Sequence, residues 1–115
     1  MRDSVIDQAI LSELRDTMGA EFAAELVDTF LEEAPGLLSE LRRARADADS
    51  ERFRRAAHSL KSNGNTFGAL KLAAMARELE LAGLSSDPAC DVIAVDALDR
   101  MYALVATQLE SMGDA

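Results

Sequence analysis

The sequence contains few of the residues on which disulfide scaffolds and metal sites depend. Its 115 residues include one cysteine, one histidine, two prolines and no tryptophan. A single cysteine excludes an intramolecular disulfide, and one cysteine with one histidine provides too few ligands for a zinc site. We therefore expect no bound metal or cofactor and a reducing, cytoplasmic compartment. We also expect a buried or half-buried Cys90.

We expect neither a signal peptide nor a membrane span. Its first ten residues, MRDSVIDQAI, carry acids at Asp3 and Asp7. No apolar run reaches the length of a signal peptide or of a transmembrane helix. With 49% hydrophobic and 29% charged residues, the composition is that of a soluble globular protein. We predict a single domain over residues 1–115, monomeric and without a membrane partner.

Positive charge is scarce and unevenly distributed. Twelve Lys and Arg residues face twenty-one Asp and Glu, and the net charge of −9 argues against nucleic-acid binding. Seven of the twelve lie in one segment: Arg42, Arg43, Arg45, Arg52, Arg54, Arg55 and Lys61. This segment favours a partner with a small anionic site.

Apolar residues recur at a spacing of three and four, which predicts that all regular structure is helical. We predict five helices: from about Asp7 to Met18, a second with Pro35 inside it, a third after Asp49 or Ser50, Leu70 to about Leu81, and a fifth from Pro88. Pro35 should bend the second near residues 31–35. The predicted fold is all-α, an antiparallel up-and-down four-helix bundle with a short additional N-terminal helix.

Two apolar stripes should supply much of the core. They are Phe22, Leu26, Phe30, Leu37, Leu38 and Leu41 in the second helix, and Val95, Leu98, Tyr102, Val105, Leu109 and Met112 in the fifth.

The stretch HSLKSNGNTFG, residues 58–68, stands out because small polar residues follow the only histidine. On a wheel of ~100° per residue, Phe53, Ala57 and Leu60 define the inward direction, and His58 lies roughly 140° away. The imidazole should therefore face solvent. Gly64 falls on the inward stripe, where it permits close helix packing, and Gly68 suits the left-handed position after the helix.

Several neighbours of His58 fit a nucleophile that takes up phosphate. Ser62 and Asn65 are short, so another protein can approach the ring closely. Lys61, one turn after His58, favours an anionic adduct, and Arg54, one turn before it, flanks the other side.

These residues resemble the motif of the histidine-containing phosphotransfer (HPt) domain family, His-x-Leu-Lys-Gly followed by small residues and a Gly ten positions after the His. The matching positions are His58, Leu60, Lys61 and Gly68. The resemblance extends through IDQAILSEL, FLEEAPGLLSELRRA and LAAMARELELAG. Ser62 stands where the family commonly has Gly, and Asn63 and Gly64 stand where Ser or Ala is usual. These departures are expected to affect which partner docks.

The resemblance implies that His58 accepts a phosphoryl group from a response-regulator receiver domain or a hybrid sensor histidine kinase and passes it to another receiver. It also implies that Glu80 hydrogen-bonds the imidazole. Lys61 would offset the phosphoryl charge, and the receiver would supply Mg²⁺.

Docking is expected to use an apolar patch and the basic residues around His58. The candidates are Ile10, Leu11, Met18, Arg54, Arg55, Ser62, Asn65 and Phe67. Two alternatives stay open: a helical adaptor that binds without phosphorylation, and an enzyme that uses His58 with Glu80 as an acid–base pair. A kinase is disfavoured because the sequence has no Gly-rich nucleotide-binding loop.

Overall fold

Five helices account for the regular structure of the described residues. The computed structural model describes the backbone of residues 5–113 and the side chains of residues 5–111. The helices are α1 (Gln8–Met18), α2 (Ala20–Ala46), α3 (Ser50–Thr66), α4 (Leu70–Ala82) and α5 (Pro88–Gly113). None of these described helices is long and apolar enough to cross a membrane.

Aspartates cap three of the helices at their N-termini. The Asp7 carboxylate accepts hydrogen bonds from the backbone N–H groups of Ala9 and Ile10. Asp49 accepts one at the start of α3, and Asp87 does so directly before Pro88. Each cap satisfies a backbone donor that the helix itself leaves free, which fixes where these helices begin. In α2, by contrast, the helix continues through Pro35 without a break.

The helices α2 to α5 form an antiparallel up-and-down bundle, and α1 packs against α2 and α3. The direction of α4 relative to α3 follows from the contacts between them. Arg54 lies against Gly83 and Gly64 lies against Ala73, so positions later in α3 meet positions earlier in α4. The predicted fold class is confirmed.

The core lies along the inward stripes of all five helices. Phe53 and Leu60 of α3 are completely buried. The Phe30 ring centroid lies 5.2 Å from that of Phe67 and 5.7 Å from that of Tyr102, so α2 contacts both the end of α3 and α5. One residue of the stripe predicted for α2 was assigned wrongly. Phe22 is 45% exposed, because it lies on the outer side of the helix. The Met112 side chain lies outside the described residues.

Two glycines allow close packing where a side chain would obstruct it. A Cβ at Gly64 would lie 3.1 Å from the Ala69 carbonyl oxygen and 3.2 Å from the Ala73 Cβ. Gly64 is buried, and its missing side chain lets α4 approach α3 closely. Gly68 follows α3 with a φ of +78°, the left-handed region that was predicted for it.

We expect Gly68→Ala to destabilise the protein by at least about 1 kcal/mol, because an L residue is strained at positive φ. The added Cβ would also lie 2.8 Å from the Asp7 carbonyl oxygen. Urea unfolding measures the difference. Gly36→Ala is the matched control, since a Cβ there meets no atom within 4 Å, and it should stabilise α2 by about 0.5–1 kcal/mol. Equal effects of the two substitutions would contradict this account.

Candidate functional site

The His58 ring lies on the outer surface of α3. Its side chain is 55% exposed, whereas Ala57 and Leu60 beside it in the sequence are completely buried. Burial of these neighbours fixes the rotation of α3 about its axis. The imidazole therefore faces solvent because the opposite side of the helix belongs to the core.

Glu80 on α4 holds one side of the imidazole. The His58 Nδ1 atom lies 2.8 Å from Glu80 Oε2. An ionised carboxylate only accepts hydrogen bonds, so Nδ1 carries the proton that it donates. In the neutral ring, Nε2 then keeps its lone pair for attack on an electrophile.

Lys61 shares the same carboxylate. Its Nζ atom lies 2.9 Å from Glu80 Oε1, and both side chains are 24% exposed. Two contacts lower the pKa of Glu80 below its ordinary value. The larger effect comes from the Lys61 ammonium, and the next from the hydrogen bond that His58 donates. Glu80 therefore remains ionised, and remains an acceptor for His58, under mildly acidic conditions.

We predict that the Glu80 carboxyl titrates below the ordinary glutamate value, and that Lys61→Met raises its pKa. A lowered pKa favours the folded state above the pKa that Glu80 has in the unfolded chain, and this contribution is lost as the pH falls through the folded value. NMR titration of the Glu80 carboxyl carbon measures its pKa in the wild type and in Lys61→Met. Lys71→Met, which removes an exposed ammonium from α4, is the control and should leave the Glu80 titration unchanged. An unchanged titration in Lys61→Met would contradict the role assigned to the ammonium.

A cleft of 560 Å³ opens beside the histidine, between α2 and α3. Its lining residues are Glu32, Glu33, Gly36, Leu37, His58, Ser59, Ser62 and Asn63. The two glutamates were missed from the sequence, because nothing in the spacing of α2 relates them to His58, which lies 26 and 25 positions further on. Only the packing of α2 against α3 places them there.

The polar residues after His58 have short side chains that leave the imidazole accessible. Ser62 and Asn65 are exposed, which fits the expectation that a partner can approach the ring over these short residues. Thr66 is also exposed, and its hydroxyl donates to the Ser62 carbonyl oxygen at 3.0 Å within the helix. No long side chain projects from these positions, which leaves room for a partner next to the imidazole.

Most of the predicted cationic segment is neutralised within the fold. Arg52 contacts Glu40 and Asp47 at 2.8 Å each. Other pairs are Arg42 with Asp96 and Asp99, Arg43 with Glu40, Arg45 with Asp91, and Arg55 with Glu51. Among the described residues of this segment, only Arg54 has no ion pair, and its guanidinium lies against Gly83 at the end of α4. The segment thus contributes less free positive charge than its sequence indicates.

Two of the predicted docking residues are not on the surface. Leu11 is 1% exposed and Phe67 is 3% exposed, so both belong to the core. The prediction was wrong for them because the apolar residues of a short helix and of a helix end are needed to close the bundle. Ile10 is half-buried, and Met18 is 44% exposed.

Cys90 is exposed, not buried or half-buried as the sequence indicated. Its thiol donates to Asp87 Oδ2 at 3.4 Å, and this carboxylate raises the pKa of the thiol. In the described residues, no group of three or more His, Cys, Asp and Glu side chains is placed to hold a metal ion.

Comparison with known proteins decides the family. The sequence model of the Hpt domain matches residues 25–110, which contain both His58 and Glu80. The chain belongs to the Hpt domain family. This family consists of phosphoryl carriers of two-component phosphorelays, as the resemblance of the histidine motif had indicated.

One curated protein and one solved structure are similar to the chain. The chain is 37% identical over 84 residues to the sensor protein TorS of Escherichia coli (strain K12), and the match covers 73% of this chain and 9% of TorS. The crystal structure of histidine-containing phosphotransfer protein B (HptB) from Pseudomonas aeruginosa PAO1 superimposes with a TM-score of 0.83. That alignment covers 96% of each chain at 24% identity, so it demonstrates a common fold.

Proposed function

We propose that His58 is the residue of this Hpt domain that accepts and passes on the phosphoryl group. The observation that carries the proposal is the geometry of the ring. Its side chain is 55% exposed, and its Nδ1 atom is held 2.8 Å from Glu80 Oε2. Nε2 is therefore the nitrogen available to an incoming phosphoryl donor.

The transfer step needs no group beyond those of this chain and of the donor. The Nε2 lone pair attacks the phosphorus of an aspartyl phosphate, a nitrogen–phosphorus bond forms, and the bond between phosphorus and the aspartate oxygen breaks. The donor leaves as a carboxylate, and the Nδ1 proton stays on the ring. The reverse sequence delivers the phosphoryl group to the aspartate of a second receiver.

Lys61 and Glu80 have different roles in this step. Glu80 is a positioning residue, because it contacts the ring and fixes its tautomer. The Lys61 ammonium lies one turn further along α3 and offsets the roughly −2 charge of the phosphoryl group. Mg²⁺ comes from the receiver, since transfer from a carboxyl phosphate requires a cation at the partner's own acidic site.

The partners we propose are response-regulator receiver domains and a hybrid sensor kinase. The experiment incubates the chain with receiver domains from the same organism that carry ³²P on their aspartates. The expected result is label on this chain that mass spectrometry places on His58, together with onward transfer to a second receiver. Stable binding of receivers without transfer of label would contradict the proposal and favour a helical adaptor.

We expect Glu80→Ala to slow phosphotransfer about tenfold, because the ring loses the partner that fixes its orientation and tautomer. Glu80→Gln should keep more of the rate, since its amide oxygen can still accept from Nδ1–H. Nitrogen-15 NMR of the imidazole distinguishes this role from a structural one: the population with the proton on Nδ1 should fall in Glu80→Ala and be restored in Glu80→Gln. An unchanged tautomer in Glu80→Ala would refute the positioning role.

A further inference from the structure

One wall of the cleft beside His58 is acidic. Glu32 and Glu33 are neighbours on α2, and both line the cleft opposite the histidine helix. The remaining lining residues are short or uncharged: Gly36, Leu37, Ser59, Ser62 and Asn63. The two carboxylates and the imidazole are therefore the ionisable groups that the described residues present to the cleft.

No cation among the described residues neutralises these two carboxylates. Glu32 and Glu33 are exposed, and neither forms an ion pair with a described residue. Glu40, seven positions after Glu33 on α2, contacts Arg52 at 2.8 Å and Arg43 at 3.6 Å. Like Glu21, Glu25 and Asp28, these two acids have no ion pair with a described residue. Unlike those three, they line the cleft beside the histidine. A cleft with unpaired carboxylates attracts a cation from a partner.

A phosphoryl group on His58 increases the negative charge of the cleft that Glu32 and Glu33 line. The adduct adds roughly two negative charges at the same cleft. The single Lys61 ammonium, which also contacts Glu80, offsets only part of them. A basic side chain of the partner, placed between the glutamates and the phosphoryl group, would be attracted by both. An acidic side chain in that position would be repelled by both.

We propose that Glu32 and Glu33 determine partner specificity by receiving a lysine or arginine side chain of the receiver domain that exchanges phosphate with His58. This inference rests on the proposed function and extends it by specifying that the docking surface of the partner is basic. Receivers that place a basic residue opposite the cleft dock productively, and receivers that place an acidic residue there do not.

The test compares three proteins: the wild type, Glu32→Gln/Glu33→Gln, and the control Glu21→Gln/Glu25→Gln. The control removes two exposed charges from the same helix outside the cleft. Receiver domains from the same organism, phosphorylated with radiolabelled acetyl phosphate, are the probes. For the receiver that transfers fastest to the wild type, kcat/KM is measured at about 0.05 M and about 0.5 M NaCl.

The cleft variant should lose about tenfold in kcat/KM at low salt, with the change in KM and not in kcat. At high salt the loss should shrink to about twofold, because exposed charges are then screened. The control should stay within about twofold of the wild type at both salt concentrations. The basic residues on the docking face of that receiver are then replaced with Glu, one at a time. For one of these receiver variants, the lost kcat/KM should be recovered when the partner is Glu32→Lys/Glu33→Lys.

Three results would overturn the inference: an unchanged kcat/KM in the cleft variant, an equal loss in the control, or a loss that does not depend on salt. In each case the wild type still takes up label on His58, so the proposed function stands. If no receiver labels the wild type, both the proposed function and this inference fail.

Discussion

His58→Gln should abolish the uptake of label from every phosphorylated receiver. The chain has a single histidine, and an amide nitrogen has no lone pair basic enough to replace Nε2 as the nucleophile. Autoradiography after incubation with labelled receivers measures the effect. The His58 side chain is 55% exposed, so the far-UV circular dichroism spectrum should not change.

Arg77→Gln is the matched control, because it changes an exposed side chain on α4 to the same amide. It should retain the labelling of the wild type. Label on the His58→Gln protein would show that another residue accepts the phosphoryl group. That outcome would refute the assignment of the site, whatever the family of the chain.

Phe53→Ala should destabilise the protein by about 3–5 kcal/mol, because it removes a large side chain from a site that cannot collapse around the cavity. Phe53 is completely buried in the first turn of α3, on the inward stripe. Urea unfolding measures the difference. A loss of this size is comparable with the whole stability of a small domain, about 5–15 kcal/mol.

Phe22→Ala removes the same atoms from a residue that is 45% exposed, and it should cost less than about 1 kcal/mol. The pair tests the correction to the sequence-based core directly, since Phe22 was assigned to the same kind of stripe as Phe53. Similar losses in the two variants would mean that Phe22 is buried in solution.

Local features explain why much of the fold could be predicted. The caps Asp7, Asp49 and Asp87 satisfy backbone groups within three residues of themselves, so the sequence beside each one contains the whole interaction. The outward direction of His58 follows in the same way from the period of α3. Phe22 and Leu11 were assigned wrongly because a period identifies an apolar face without showing whether another helix covers it.

The sequence by itself determined the helical class, the starts of α1, α3, α4 and α5, the exposed histidine and the family motif, because each of these depends on residues close together in the chain. Only the tertiary structure decided which charges meet. It paired Arg42 and Arg45 with acids of α5 and joined Lys61 to Glu80. It also left Glu32 and Glu33 unpaired beside His58. Charges on different helices meet according to the register in which the helices pack, and that register depends on the fit of the whole core.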